Sequence, residues 1–90
     1  MKLKEMIYLK QEGLLVTEKI MSESETNDLA LMIEQAVNTV KNMQYNDDYS
    51  FIYCMEEETP LGFIEKGRLI YAGGDLITLI VGYNIFYMER

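Results

Sequence analysis

Apolar residues recur with a helical period in one part of the chain only. Between Leu29 and Met43 they return every three or four residues and form a single stripe on a helical wheel. Ser22 and Glu25 have the spacing of a capping box, so the pattern predicts a long helix from about Ser22 to the Asn46-Asp47-Asp48 loop. The residues expected to be buried against a sheet are Met32, Ile33, Ala36, Val37 and Val40.

The chain after this helix has the short apolar runs and turn residues of a β-meander. Lys66-Gly67 suits a tight hairpin, Gly73-Gly74-Asp75 suits a second turn, and Gly82 suits a β-bulge. The run Leu76–Val81 is apolar on both faces, which is typical of a central strand. Strands are predicted at Phe51–Met55, Leu61–Glu65, Arg68–Tyr71, Leu76–Val81 and Ile85–Met88.

The first twenty residues allow two interpretations. Leu3, Met6 and Ile7 have helical spacing, with Gly13 as a C-cap. Alternatively, Glu12-Gly13 is a two-residue hairpin turn that pairs Leu9 with Val16 and Ile7 with Glu18. The hairpin gives two strands of matching length and is preferred.

The elements together predict one α+β domain over residues 1–90. Its expected form is an antiparallel sheet of five to six strands with one long helix packed on one face, in the order ββ-α-βββ. The position of the Phe51–Met55 strand within the sheet is left open.

Charge is concentrated in the middle of this acidic chain. The net charge of −7 is the sum of +1 over residues 1–20, −8 over residues 21–60 and 0 over residues 61–90. Such a balance argues against nucleic-acid binding, which needs a basic surface. The acidic residues either form a solvated face or dock a basic partner. The candidate docking residues are Asp47, Asp48, Glu56, Glu57 and Glu58.

The amino-acid composition excludes several common kinds of catalytic and cofactor-binding site. The chain has no histidine, which excludes Ser-His and Cys-His arrangements and histidine metal sites. We expect the lone Cys54 to be a buried packing thiol in a reducing, cytoplasmic compartment. The longest apolar run has thirteen residues and predicts no membrane insertion, because a spanning helix needs about 20. No enzyme activity, cofactor or metal is therefore predicted, although a metal-assisted enzyme using Glu56–Glu58 remains a third interpretation.

Two stretches resemble roadblock domains, the dynein light-chain and small-GTPase-scaffold relatives of the profilin-like sandwiches. Ile7–Val16, followed by a polar segment and a helix, is similar to the opening hairpin of that family. Glu65–Tyr71 with Gly73–Val81 is similar to its closing hairpin. The resemblance implies a dimer formed through the helix and a neighbouring edge strand, with no active site. It also implies a platform for Ras-like GTPases or their regulators.

One flank of the predicted helix is uncharged where a solvent-facing flank would more often carry Lys and Glu. We therefore expect this flank to contact another chain, most simply the same helix of a two-fold mate. The leading functional hypothesis is a non-enzymatic interaction module that acts as a homodimer or heterodimer. The alternative is a small acidic antagonist of the mobile-element type, whose negative patch blocks a basic site on an enzyme or nucleic-acid-binding machine. The flank residues are Leu31, Gln35, Asn38 and Asn42.

Overall fold

The computed structural model describes all 90 residues as one antiparallel sheet with a helix on one face. The sheet order is β2-β1-β3-β4-β5-β6, so every neighbouring pair is a hairpin except β1 and β3. The elements are β1 (Lys2–Leu9), β2 (Leu14–Glu23), α1 (Leu29–Asn42), β3 (Tyr49–Thr59), β4 (Gly62–Tyr71), β5 (Leu76–Val81) and β6 (Asn84–Glu89). The α+β class and the six-strand antiparallel sheet are thus confirmed. The expected ββ-α-βββ order is not, because four strands follow the helix.

The helix is shorter than expected and begins later. Asp28 is the N-cap, and its carboxylate accepts a hydrogen bond from the Leu31 N–H at 3.1 Å. Ser22, the expected cap, lies instead in β2, where it pairs with Leu3. The capping-box prediction was wrong because the ladder with β1 continues to Glu23 and uses these backbone groups.

The first hairpin is confirmed, with a different register. The loop is four residues long, Lys10 to Gly13, so Leu9 pairs with Leu14, and a register shift between Ile7 and Tyr8 then pairs Ile7 with Thr17. Gly13 adopts φ +62°, a left-handed conformation that glycine reaches at little steric cost. The strand interpretation of residues 1–12 is correct and the helical one is wrong.

The predicted hairpin at Lys66-Gly67 was wrong, because β4 runs through it without a turn. The chain reverses earlier, at Pro60-Leu61, so that Thr59 pairs with Gly62. Gly67 lies under the helix, and a Cβ there would be 3.3 Å from both Leu29 Cδ1 and Met55 Sδ. The glycine thus allows close approach of helix and sheet. The other expected irregularity, Gly82, lies in the β5–β6 turn at φ +59°.

The core lies between α1 and one face of the sheet. Met32, Ala36 and Val40 are fully buried, as predicted, and Ile33 and Val37 pack half-buried against them. The prediction that β5 is central was wrong, since β5 is the fifth strand and its Leu76 is 53 % exposed. The fully buried sheet residues under the helix include Leu3, Tyr53, Met55, Leu69, Tyr71 and Ile77.

Candidate functional site

The sheet has a second face that no helix covers. Residues paired across neighbouring strands share a face, and side chains alternate along each strand. The register of Met6 with Ile52, Ile52 with Ile70, and Ile70 with Thr78 therefore places one row of side chains on the side away from α1. We call this side the open face. Its apolar residues include Met6, Tyr8, Ile52, Ile70, Ile80, Ile85 and Tyr87.

The apolar part of the open face is wide and accessible to solvent. It crosses five strands, from β1 to β6, which corresponds to about 20 Å at the usual strand spacing. Ile85 is 56 % exposed and Tyr87 is 67 % exposed, whereas Ile52, Ile70 and Ile80 are half-buried. One solvated face is common in antiparallel sheets, but it usually carries polar residues. Exposed apolar patches are typical of surfaces that contact other molecules.

The other end of the open face is an ion-pair network. Lys4 Nζ lies 2.9 Å from a Glu56 carboxylate oxygen and 3.2 Å from one of Glu18, and Lys2 Nζ lies 3.5 Å from Glu56. Burial alone raises the pKa of the Glu56 carboxyl, but the Lys4 hydrogen bond and the charges of Lys4 and Lys2 outweigh it and lower that pKa. Hydrogen bonding to Glu56 correspondingly raises the Lys4 pKa against the smaller opposing effect of burial. Glu56 is therefore held ionised within the chain.

The predicted acidic docking residues are not brought together. Asp47 and Asp48 precede β3 and Glu56, Glu57 and Glu58 lie near its far end, about 26 Å away along an extended strand. Glu57 is also engaged, because it pairs with Lys66 at 3.3 Å and accepts a hydrogen bond from Asn27 at 2.9 Å. Asp47, Asp48 and Glu58 are exposed and make no ion pair. The acidic residues therefore form two separate groups, one near each end of β3.

The predicted helix flank lies beside the β1–β2 hairpin. Leu31 is 38 % exposed, and Asn38 and Asn42 are exposed. Gln35 and Asn38 line a shallow groove between α1 and β2, together with Leu3 and Met21. The Gln35 Oε1 atom is buried without a hydrogen-bond partner. The four flank residues therefore form a single stripe along the helix, exposed at Leu31, Asn38 and Asn42 and half-buried at Gln35.

Cys54 lies on the open face but is only 1 % exposed, because the charged side chains around it cover it. Burial and the hydrogen bond with Glu65 raise the pKa of its thiol to about 12. It is a free thiol, as predicted, and it stays protonated at neutral pH, which makes it a poor nucleophile. No group of three or more His, Cys, Asp or Glu side chains is arranged to hold a metal ion.

The open face was missed by the sequence analysis. The run Leu76–Val81 contains apolar residues at both odd and even positions, and this pattern predicts burial on both sides of the sheet. The signal that could have revealed the open face is the single helix, which can cover only one side of a six-stranded sheet.

Comparison with protein-family models, with curated proteins and with solved structures finds no significant match to this chain. The likeness to roadblock domains therefore rests on the two sequence stretches alone. The single helix of the chain has 14 residues, and no helix here has the length and apolar character needed to cross a membrane.

Proposed function

We propose that the protein is a non-enzymatic protein–protein interaction module and that a partner docks on the open face. The observation that carries this proposal is the apolar row Met6–Ile52–Ile70, which continues through Thr78 to Tyr87, with Ile80 and Ile85 in the adjacent row.

The resemblance to roadblock domains extends the proposal to a dimeric platform for a small Ras-like GTPase or its regulator. The contact with another chain proposed for Leu31, Gln35, Asn38 and Asn42 belongs to the same hypothesis.

A substitution pair on one strand tests the open face. Ile70→Lys places a charge at its centre, whereas Ile64→Lys places the same charge on β4, on the opposite side of the sheet, where Ile64 pairs with Glu57 and is 47 % exposed. Partners are captured from extracts of the native host and identified by mass spectrometry, and circular dichroism confirms that both variants fold. We expect Ile70→Lys to reduce capture at least tenfold and Ile64→Lys to leave it unchanged. Equal capture by the parent and a folded Ile70→Lys would refute the open face as the docking site.

The identity of the captured protein separates the two functional hypotheses. A Ras-like GTPase or its regulator supports the roadblock-like platform, whereas a nuclease or polymerase supports the acidic antagonist. The antagonist is favoured by one observation, the exposed and unpaired carboxylates of Asp47, Asp48 and Glu58. If these dock a basic site, reversing their charge to Lys slows association and flattens its salt dependence while the fold persists. Binding that is unaltered at low salt would reject the acidic patch.

A further inference from the structure

The two edges of the sheet differ in how they are protected against pairing. The outer strand β2 carries the charged Glu18 and Lys19, and its pairing with β1 has register shifts at Leu3/Lys4 and Ile7/Tyr8. Charges and bulges are the devices that prevent edge strands from pairing with another chain. The opposite edge, β6, has no register shift against β5 and no charge between Asn84 and Met88.

The apolar side chains of β6 are exposed on both sides of the sheet. Ile85 and Tyr87 lie on the open face, at 56 % and 67 % exposure, and Phe86 lies on the helix side at 49 %. The Arg90 N–H donates to the Asp75 carbonyl at 2.8 Å, in register with the β5–β6 ladder. Because backbone groups alternate in direction along an antiparallel strand, the free N–H and C=O groups at the edge belong to Ile85 and Tyr87.

We propose that β6 pairs with β6 of a second copy of this chain, antiparallel, about a two-fold axis at Phe86. In this register Phe86 faces Phe86 of the second copy. Ile85 faces Tyr87 of the second copy on each side of the axis, and these two residues present the free backbone groups. Aromatic pairs and aromatic–β-branched pairs are favourable across strands, and no two like charges are opposed. The result is a twelve-stranded sheet with the open faces of both copies on one side.

The distribution of charge along the chain favours self-association through β6 over contacts made by the acidic middle of the chain. Residues 61–90, which include β4, β5 and β6, carry no net charge, whereas residues 21–60 carry −8. Pairing through β6 therefore joins the neutral parts of two acidic chains. The outer edges of the pair are the two β2 strands, whose charges and bulges stop further addition, so the assembly closes at two copies.

The pairing rests on the dimeric part of the proposed function and assigns it a different contact, at the β6 edge in place of the helix flank. A seam of one six-residue strand from each copy falls below about 1,200 Å² of buried surface, the range of weak and transient complexes. We therefore expect a micromolar dimer, which sedimentation equilibrium detects between about 10 and 500 μM.

A charge-swap experiment tests the symmetric contact. Phe86→Lys and Phe86→Glu each place two like charges opposite one another at the axis, and we expect each to weaken the dimer at least tenfold. An equimolar mixture of the two variants pairs Lys with Glu and is expected to restore dimerisation. Val16→Lys places the same charge on the exposed β2 edge, where the parent residue is 51 % exposed, and should leave the dimer unchanged. Circular dichroism checks the fold of every variant.

Other outcomes overturn the β6 seam. It is rejected by a parent that is monomeric at 500 μM, by folded Phe86 variants that dimerise like the parent, or by a mixture that fails to recover. A dimer broken by Leu31→Glu but not by the Phe86 variants assigns self-association to the helix flank instead. Because Phe86 is on the side of the sheet opposite Ile70, partner capture through the open face can fail or succeed independently of this result.

Discussion

The Tyr53 hydroxyl donates a hydrogen bond of 2.9 Å to a Glu5 carboxylate oxygen beneath the helix. Glu5 is only 6 % exposed, and its other oxygen lies 3.5 Å from Lys19 Nζ. A carboxylate buried under a helix needs such partners, because removing it from water without them is costly. The two residues face each other across β1 and β3, so their hydrogen bond also fixes the register of the one strand pair that is not a hairpin.

Removing the Tyr53 hydroxyl leaves Glu5 with Lys19 as its only remaining partner. We expect Tyr53→Phe to lower the free energy of unfolding by about 1.5–3 kcal/mol, the range for hydrogen bonds to charged groups. Urea unfolding at pH 7 measures the loss. Tyr87→Phe is the matched control, because Tyr87 is exposed on the open face, and it should change stability by less than about 0.5 kcal/mol. Equal effects of the two substitutions would show that the buried hydrogen bond contributes nothing.

Val40 is fully buried between α1 and the sheet. Val40→Asp places an unpaired charge in this core and is expected to cost several kcal/mol, on the order of the whole stability of a domain this small. Asn38→Asp introduces a carboxylate on the exposed side of the same helix and serves as the control. Thermal unfolding followed by circular dichroism should show loss of the folded state for the first variant only. A Val40→Asp protein that melts within a few degrees of the parent contradicts the burial of this position.

Much of this core could be predicted from the sequence, because the helical stripe has one period and one apolar side. Met32, Ala36 and Val40 follow directly from it. The positions of the turns were harder to predict, because glycine occurs both in turns and where two elements pack closely. Gly67 is of the second kind, since a side chain there would be in close contact with Leu29. The open face was still harder to predict, because a strand with apolar residues on both sides has the same sequence pattern whether both sides are covered or one is exposed.

Glu56 makes part of the stability dependent on pH. Its carboxyl has a folded-state pKa below the ordinary value of about 4.3, so its ion pairs with Lys4 and Lys2 stabilise the protein above that value. This stabilisation is lost as the pH falls through the lowered pKa. We expect Glu56→Gln to be less stable than the parent by about 1 kcal/mol at pH 7, and the difference to vanish as the pH falls from 5 to 2. Unfolding curves across this pH range measure the difference in stability, with Glu58→Gln as the control. A difference between parent and Glu56→Gln that persists at pH 2 would exclude the charge of Glu56 as its cause.

The covered position of Cys54 predicts low thiol reactivity. Its pKa of about 12 leaves almost no thiolate at pH 8, and its side chain is shielded from solvent. Labelling by a thiol-specific disulfide reagent should therefore be slow in the folded protein and at least a hundredfold faster in 6 M guanidinium chloride. Cys54→Ser, which cannot be labelled, provides the baseline. Rapid labelling of the native protein would show that the side chains above Cys54 open readily.

The single non-hairpin pair in the sheet separates two units of hairpin-connected strands. β1 with β2, and β3 through β6, consist of neighbours joined by short turns, which form early because little chain entropy is lost in closing them. Leu9 and Tyr49, the partners nearest in sequence between the two units, lie 40 positions apart, with the helix between them. Joining β1 to β3 is therefore the step of highest entropic cost. The nucleus that limits the folding rate is expected at this seam.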